Sequence, residues 1–577
     1  MSIKGIITYK EKQAQFNLQW AQSLIQGLVE SGLQHVVISP GSRSTPLTLV
    51  CARHSELKTW VQVDERSAAF FALGLARATN QPVGIICTSG SAPAHWLPAV
   101  IEANHNLVPL VLLTANRPAE LWGWGANQTI DQSQLFSGYI RSFYQLSLPE
   151  DDVHLLQYVQ QAGRRAFSES QWPLPGPVHL DIPFREPFIT EQTFASLPEP
   201  RKDNRISFLP HSMPDKDQIA NIAEQLSSSR GIIIAGPETG TINHASALAD
   251  LAEHLQVPVF ADPLSGLRFG QHKLKPVITT YDAFLRDMDF ADTHRPDWIL
   301  RFGAMPVSKT LNEYMKACSN ACHILIDPYS RWLDPLYQTT ERIVGNARIV
   351  CEQLQKLNKV STLSTWFGDF YQQEQQTRKR MKCACDESIL VNDLIAALPD
   401  DSLLFSGNSM SIRNIDSFST SANKKIGVLA NRGVSGIDGN VSTLAGLAAI
   451  RNQTHAQGMV VGLIGDLACY HDMNGLLALR EQDVLLIVIN NGGGGIFHHL
   501  PQATLAEFKQ FWQTPLGLDF EKVANLYDMA FYRVDNMSKF DSSFKQALNT
   551  TGARMLEVII DPKLSHEKHL AYWELIK

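Results

Sequence analysis

The chain has 577 residues, 44% of them hydrophobic and 19% charged, with a formal net charge of −7. That length allows about three or four domains with cores of their own, and the composition is that of a globular protein. An acidic balance without a basic stripe excludes non-specific nucleic-acid binding, and no apolar run approaches the roughly 18 to 20 residues that span a bilayer, so neither nucleic acid nor membrane is an expected partner. Met1 to Lys10 contain no signal-peptide core, which sets the expected localisation as cytoplasmic. The eight cysteines are scattered. The closest sets, Cys318/Cys322 and Cys383/Cys385, lack a second pair at zinc-finger spacing, so reduced, buried thiols are expected and structural zinc is not.

From Asn17 to Glu30 apolar residues recur at helical spacing, Gly32 stops the helix, and His35-Val-Val-Ile-Ser reads as a strand. Pro40-Gly-Ser-Arg-Ser-Thr-Pro follows it. This is a tight turn with a surface Arg, or else an anion clamp built on the planar fork of Arg43. Next, Val63-Asp-Glu-Arg places an acidic turn before a helix of little charge, Ser67 to Ala78. A Glu at a helix start ordinarily complements the dipole. Glu65 enters an apolar interface, however, where an unpaired carboxylate is costly, and a protonated ring nitrogen of a cofactor would serve as its partner. Cys87-Thr-Ser-Gly-Ser-Ala-Pro gives a third strand and a Gly turn, then a helix; Val108 to Ala115 is a fourth strand, running into Asn116-Arg117-Pro and Gly125-Ala-Asn-Gln128. Pro175 to Pro183 closes this first block.

Glu191 to Asp215 reads as a linker rich in Pro, Ser and charge. Strands Gly231 to Pro237, Val257 to Asp262, Trp298 to Gly303 and His323 to Pro328 then make a Rossmann-like block. Its first strand ends in Gly-Pro-Glu-Thr-Gly and not in Gly-x-Gly-x-x-Gly, so a nicotinamide site is not expected there. Ser308-Lys309 reaches a ligand or simply exposes a Lys. Val350 to Ser388, helical and charged, reads as a solvated helix and second linker. The third block opens with a helix at Ile389 to Leu398, then Leu403-Leu-Phe-Ser-Gly-Asn-Ser-Met-Ser-Ile-Arg, a strand at Gly427 to Ala430, and Asn431-Arg-Gly-Val-Ser-Gly-Ile-Asp-Gly. Two apolar β-rich runs, Met459 to Ile464 and Val484 to Ile489, flank a helix-like segment as a buried parallel βαβ unit does. Gly465-Asp466 follows the first run and Asn490-Asn491 with four glycines the second, at the carboxyl ends where open α/β sheets bind ligands. The plain reading is a capped helix and a Gly-rich turn. The functional one is a hard-oxygen site, with an Asp oxygen, an Asn carbonyl and a backbone carbonyl suited to Mg²⁺ holding a diphosphate, and glycine N–H groups near the phosphates. Phe508 to Trp512, Phe520 to Leu526 and the strand Met555 to Asp561 complete the block.

The order strand, Gly-Asp, helix, strand, Asn-Asn, the acidic turn before a small-residue helix, and a Rossmann-like block without its fingerprint together resemble thiamine-diphosphate enzymes over nearly the whole chain. The resemblance implies an α/β fold of three doubly wound parallel-sheet domains: pyrimidine (1–190), central Rossmann-like (205–355) and diphosphate (385–577). The family motif usually reads Gly-Asp-Gly, and Leu467 departs from it. With Ser39 to Thr48, Leu113 to Pro118, Gly125 to Gln128, Ser406 to Arg413 and Asn431 to Gly439, that departure resembles the menaquinone-pathway carboligases within the superfamily.

By that resemblance Glu65 is the catalytic carboxylate hydrogen-bonded to the aminopyrimidine of thiamine diphosphate. Ile437 is the apolar wedge under the cofactor, Ile496 and Phe497 line it, and Asp466, Asn491 and the Gly493 carbonyl hold Mg²⁺ or Mn²⁺. The implied substrates, 2-oxoglutarate and isochorismate, are both dicarboxylates, for which Arg43, Arg117, Arg413 and Arg432 are the candidate clamps and Ser42, Gln128, Ser409 and Lys309 the polar helpers. Some relatives carry Arg where Thr310 stands. A homodimer or homotetramer with active sites between subunits is also implied. The rival readings are a simple 2-oxo acid decarboxylase or acetolactate synthase, whose small monoanions would leave the arginines unpartnered, and a non-catalytic homologue, against which Glu65, Asp466 and Asn491 count.

Overall fold

The computed structural model describes residues 3–191, 210, 212–226, 230–237, 244–357, 364–381, 384–454 and 457–575. Most of the expected first linker, and the end of the Gly236 to Gly240 turn, lie outside them. Three six-stranded sheets, parallel throughout, organise the chain. The first holds β1 (His35–Ile38), β2 (Lys58–Val61), β3 (Val83–Cys87), β4 (Leu110–Asn116), β5 (Phe143–Gln145) and β6 (Pro177–Pro183) in the order β2-β1-β3-β4-β6-β5. The second holds β7 (Gly231–Ala235), β8 (Val259–Ala261), β9 (Val277–Ile278), β10 (Trp298–Phe302), β11 (Cys322–Asp327) and β12 (Thr339–Val344), ordered β12-β11-β10-β7-β8-β9. In the third, β13 (Ser402–Ser406), β14 (Ile426–Ala430), β15 (Val460–Gly465), β16 (Val484–Asn490), β17 (Ala530–Val534) and β18 (Ala553–Ile559) run β14-β13-β15-β16-β18-β17.

The sequence explains why these sheets are parallel and covered on both faces. Every residue of β3, β4, β6, β7 and β10 is buried, as continuous apolar runs require when both sides carry helices. In each sheet the winding reverses between two central strands, β1 and β3, β7 and β10, and β13 and β15. At such a reversal the loops leaving two neighbouring strands diverge and open a crevice at their carboxyl ends.

The chain forms two compact units. One comprises Met1–Pro210, Arg432–Thr454 and Asp472–Leu479; the other His211–Asn431, His455–His471 and Arg480–Lys577. In the first unit the helices Glu65–Thr79 and Asn440–Gln453 meet backbone to backbone. A Cβ on Gly74 would stand 2.2 Å from the Thr443 carbonyl oxygen and one on Gly446 2.1 Å from that of Phe71, so only glycine fits either position.

Several elements differ from the sequence reading. The first helix spans Ile3–Glu30, longer than the apolar stretch from Asn17. β5, β9, β12 and β17, which went unread, are short or polar and all four lie at sheet edges. The stretch Val350 to Ser388 is no solvated linker. Its helix Ser364–Met381 buries Trp366, Phe367, Phe370 and Met381 in the core of the second unit, a face that the charges of residues 373–380 mask in the sequence. Among the described residues all seven cysteines are free thiols, six of them buried. No helix among the described residues is long and apolar enough to cross a membrane.

The same helix carries Glu374, which is 1% exposed. Its carboxylate accepts from the backbone N–H groups of Thr279 (3.1 Å) and Thr280 (2.9 Å) and from both of their hydroxyls, and pairs with Arg378 at 2.8 Å. Glu374→Ala strands those buried donors and removes one partner of the half-exposed Arg378, so chemical denaturation should show the second unit destabilised by about 2–4 kcal/mol.

Candidate functional site

In the first unit the helix Glu65–Thr79 starts at a built cap. Asp64 accepts from the Ser67 N–H at 3.1 Å and from the Asn474 side-chain amide at 2.8 Å. That cap puts Glu65 at the first helical position, half-buried, near the end of β3. Burial, followed by the charges of Glu65 and Asp181, pushes the Cys87 thiol well above its ordinary range. Among the described residues no hydrogen bond or ion pair is made by the Glu65 carboxylate. A partly buried anion with no donor fits a protonated ring nitrogen.

The reversal between β1 and β3 gathers the first set of cations. Arg43, 4% exposed, donates through Nη1 to the Phe184 carbonyl and through Nη2 to Glu186 at 2.9 Å, while its buried Nε has no partner. Burial and then the neighbouring charge of Arg117, opposed by Glu186, lower Arg43 to about 10. The Arg117 guanidinium is thus close enough for its charge to be felt at Arg43. Arg117 Nη1 donates to Ser89 Oγ at 2.6 Å, and Ser89 is tied in turn to Gln128: Ser89 Oγ donates to the Gln128 carbonyl (3.1 Å) and Gln128 Nε2 to the Ser89 carbonyl (2.9 Å). Ser42 is exposed in the loop beside Arg43. Arg432 and Ile437 belong to the same unit, Ile437 being 38% exposed, with its carbonyl accepting from the Asn440 side chain at 2.7 Å.

The second unit carries the other set. Asp466 follows β15 directly and opens the helix Asp466–His471; its carboxylate accepts from the N–H groups of Leu467 (2.8 Å) and Gly493 (2.7 Å). Burial, which those two donors oppose without overcoming, raises its pKa to about 6. Nearby in sequence, the Asn491 Oδ1 is buried without a partner. A buried carboxylate lacking positive charge and a buried amide oxygen lacking a donor are what a hard divalent cation satisfies, so Asp466 and Asn491 fit a metal. The Gly493 carbonyl accepts from the Gly495 N–H at 2.9 Å and keeps a second lone pair. Ile496 and Phe497 are half-buried in the turn Gly495–His499. Ser409 has a left-handed φ of 63°, and its carbonyl accepts from Arg413 Nη1 at 2.7 Å. Lys309 starts a helix and pairs with Glu313 at 3.5 Å on the surface.

Three residues that hold this geometry escaped the sequence reading. Ser89 sat in a turn already noted, and its position at the β1/β3 reversal was the available signal. Glu102 is the one carboxylate in an apolar helix, a signal of the same kind as Glu65. Gln513, whose carbonyl accepts from the Gly494 N–H at 2.7 Å, carries none.

A parallel sheet with an unpartnered helix-start Glu, and another with Asp and Asn at adjacent strand ends, define a thiamine-diphosphate enzyme. Family models agree: the thiamine pyrophosphate enzyme N-terminal TPP binding domain matches residues 18–135, the middle domain 206–406 and the C-terminal TPP binding domain 419–558. The fold is shared with a thiamin diphosphate-dependent enzyme from Mycobacterium smegmatis (TM-score 0.70) and with benzoylformate decarboxylase from Polynucleobacter necessarius (TM-score 0.69). Each is 17% identical, with 94% of this chain and 99% of the other covered. Proteins named 2-succinyl-5-enolpyruvyl-6-hydroxy-3-cyclohexene-1-carboxylate synthase are similar along almost the full length. That of Dechloromonas aromatica is 40% identical over 94% of this chain and 98% of its own, and that of Bacillus cytotoxicus 38% identical over 96% and 95%. A third, from Haloquadratum walsbyi, is 36% identical over 95% and 96%. The chain belongs to the 2-succinyl-5-enolpyruvyl-6-hydroxy-3-cyclohexene-1-carboxylate synthase family.

The glycine loop after β16 offers a direct test of the diphosphate end. Gly493 has φ +120°, and a Cβ on it would stand 1.8 Å from the Gln513 carbonyl oxygen. Gly493→Ala should pull its N–H off Asp466 and weaken thiamine diphosphate binding about ten- to hundredfold by titration calorimetry, the equivalent of ~1–3 kcal/mol of backbone strain.

Proposed function

We propose that the chain is a thiamine-diphosphate-dependent transferase that decarboxylates 2-oxoglutarate and adds the four-carbon remainder to isochorismate. Carbon dioxide leaves, the new carbon–carbon bond forms at the conjugated double bond of the acceptor, and 2-succinyl-5-enolpyruvyl-6-hydroxy-3-cyclohexene-1-carboxylate results. The observation that carries this reading is the Arg43–Arg117 pair: two guanidinium groups near enough for the charge of one to be felt at the other suit substrates that bring carboxylates in excess. A decarboxylase of small monoanions has no use for them.

When bound, thiamine diphosphate supplies the electron sink that lets a 2-oxo acid lose carbon dioxide. Glu65 would hold a protonated ring nitrogen of the cofactor and so favour the form of that ring in which another nitrogen can act as base. Asp466, Asn491 and the Gly493 carbonyl would hold Mg²⁺ or Mn²⁺, and the N–H groups of the glycine loop would donate to the diphosphate. Ile437, Ile496 and Phe497 give apolar walls that keep water from the reacting carbons. Arg43, Arg117, Arg413 and Arg432 hold the substrate carboxylates, assisted by Ser42, Gln128, Ser409 and Lys309. An arriving carboxylate takes the place of Glu186 on Arg43, since the Glu186 side chain is itself exposed. The assembly is at least a homodimer, dimer or tetramer, with active sites between subunits, working in the cytoplasm, and the domain limits are 1–190, 205–355 and 385–577.

Purified protein with thiamine diphosphate, Mg²⁺, 2-oxoglutarate and isochorismate should consume isochorismate and yield an adduct heavier by the succinyl fragment in mass spectrometry. Decarboxylation without loss of isochorismate would move the chain to another acceptor. Glu65→Gln should keep cofactor affinity and lose turnover by ~10²–10⁴-fold, because an amide cannot share the proton; turnover like the parent's removes Glu65 from the chemistry. Arg413→Ala should lower the specificity constant for at least one substrate by the equivalent of about 2–5 kcal/mol, and constants unchanged from the parent's for both substrates would take Arg413 out of the site.

A further inference from the structure

The helix Leu97–His105 is apolar except for Glu102 and its terminal residues, and the Glu102 carboxylate is 2% exposed. Within the first unit it reaches the segment that begins at Arg432. Oε1 accepts from the Gly433 N–H and Oε2 from the Val434 N–H, both at 2.8 Å, and the Asn106 side-chain amide steadies Oε1 at 3.2 Å. One oxygen on each of two consecutive amides fixes the tilt of the peptide as well as its distance. The fit leaves no room for a side chain, since a Cβ on Gly433 would stand 2.6 Å from the Glu102 carbonyl oxygen.

Burial pushes the Glu102 carboxyl up, and the two amides and the charge of Arg77 pull against it, with Asp438 adding to the upward side. The grip is therefore made by an anion that costs free energy to bury, at a place where a neutral side chain would satisfy packing alone. What it holds is specific. Arg432 comes immediately before the gripped amides and Ile437 three residues after them. Ser435 between them sits at a left-handed φ of 60°, and Asn440 closes the far side by donating to the Ile437 carbonyl.

We propose that Glu102 is a positioning residue for the thiamine diphosphate site: its bidentate hold on Gly433 and Val434 fixes the segment that presents Ile437 to the cofactor and Arg432 to a substrate carboxylate. This rests on the roles given to Ile437 and Arg432 above. Glu102 itself touches neither cofactor nor substrate.

Glu102→Gln keeps the side-chain size but turns one acceptor into a donor facing an amide. The expected result is a folded protein with an unfolding midpoint near the parent's, a dissociation constant for thiamine diphosphate with Mg²⁺ raised about tenfold, and exchange of the bound cofactor's C2 proton slowed about tenfold. Glu102→Asp, which keeps the anion, should recover part of both. Gly433→Ala perturbs the same seat from the other side with Glu102 intact and should reproduce both changes. Parent-like affinity and exchange in folded Glu102→Gln and Gly433→Ala overturn the inference. Should Glu102→Gln not fold, Gly433→Ala decides, and Asn106→Ala, which only loosens the carboxylate, decides if that also fails. A parent protein that binds no thiamine diphosphate overturns the functional reading and this inference with it, whereas variants indistinguishable from a binding parent overturn the inference alone.

Discussion

The contact on which the first unit depends is the meeting of the helices Glu65–Thr79 and Asn440–Gln453 at Gly74 and Gly446. Backbone against backbone leaves no side chain to adjust, so the spacing of the two helices is set by hard atomic contact. Glu65 starts one of these helices and the segment carrying Arg432 and Ile437 leads into the other. Their separation within one chain therefore inherits the rigidity of the helix pair.

Buried carboxylates recur, and the direction of their shifts separates those that are complete from those that await a partner. Asp282 is buried, which alone raises its pKa, yet Arg286 and the hydroxyls of Ser308 and Ser417 bring it below the ordinary value. Its charge is matched within the protein. Asp466 meets two backbone N–H groups and still stands at about 6, because dipoles without a full positive charge do not offset the burial. The difference is one cation. The orphaned Asn491 oxygen in the following strand-end loop shows the same deficit, one that a hard cation would satisfy.

The sequence made much of this legible because the chemistry sits where apolar runs stop. Asp466, Asn491 and Arg117 each follow a continuous buried strand, so pattern alone placed them at carboxyl ends, and Glu65 stood out as a charge opening an apolar helix. Less local facts stayed hidden. The buried face of Ser364–Met381 is outnumbered by its own charges, so composition suggested a linker where burial made a core helix. Edge strands such as β5 and β12 are too short or polar to alternate clearly. Ser89 and Glu102 act through residues far from them in sequence, Gln128 and Gly433, and no periodicity encodes a partner at that distance.

Least legible was the way the last third of the chain is shared out. Arg432 to Thr454 and Asp472 to Leu479 belong to the first unit, while β15, Asp466 and Asn491 belong to the second. Within the first unit Asp472 shows what holds such a segment in place. Its buried carboxylate accepts from the Ser442 N–H (2.6 Å) and hydroxyl (2.9 Å), and burial raises it to about 7 against them. Asn474, two residues on, caps the Glu65 helix through Asp64. A stretch of eight residues thus joins two helices whose sequence positions lie hundreds of residues apart, one of them bearing Glu65. The position of that carboxylate is for this reason a property of the C-terminal sequence as much as of the N-terminal sequence that contains it.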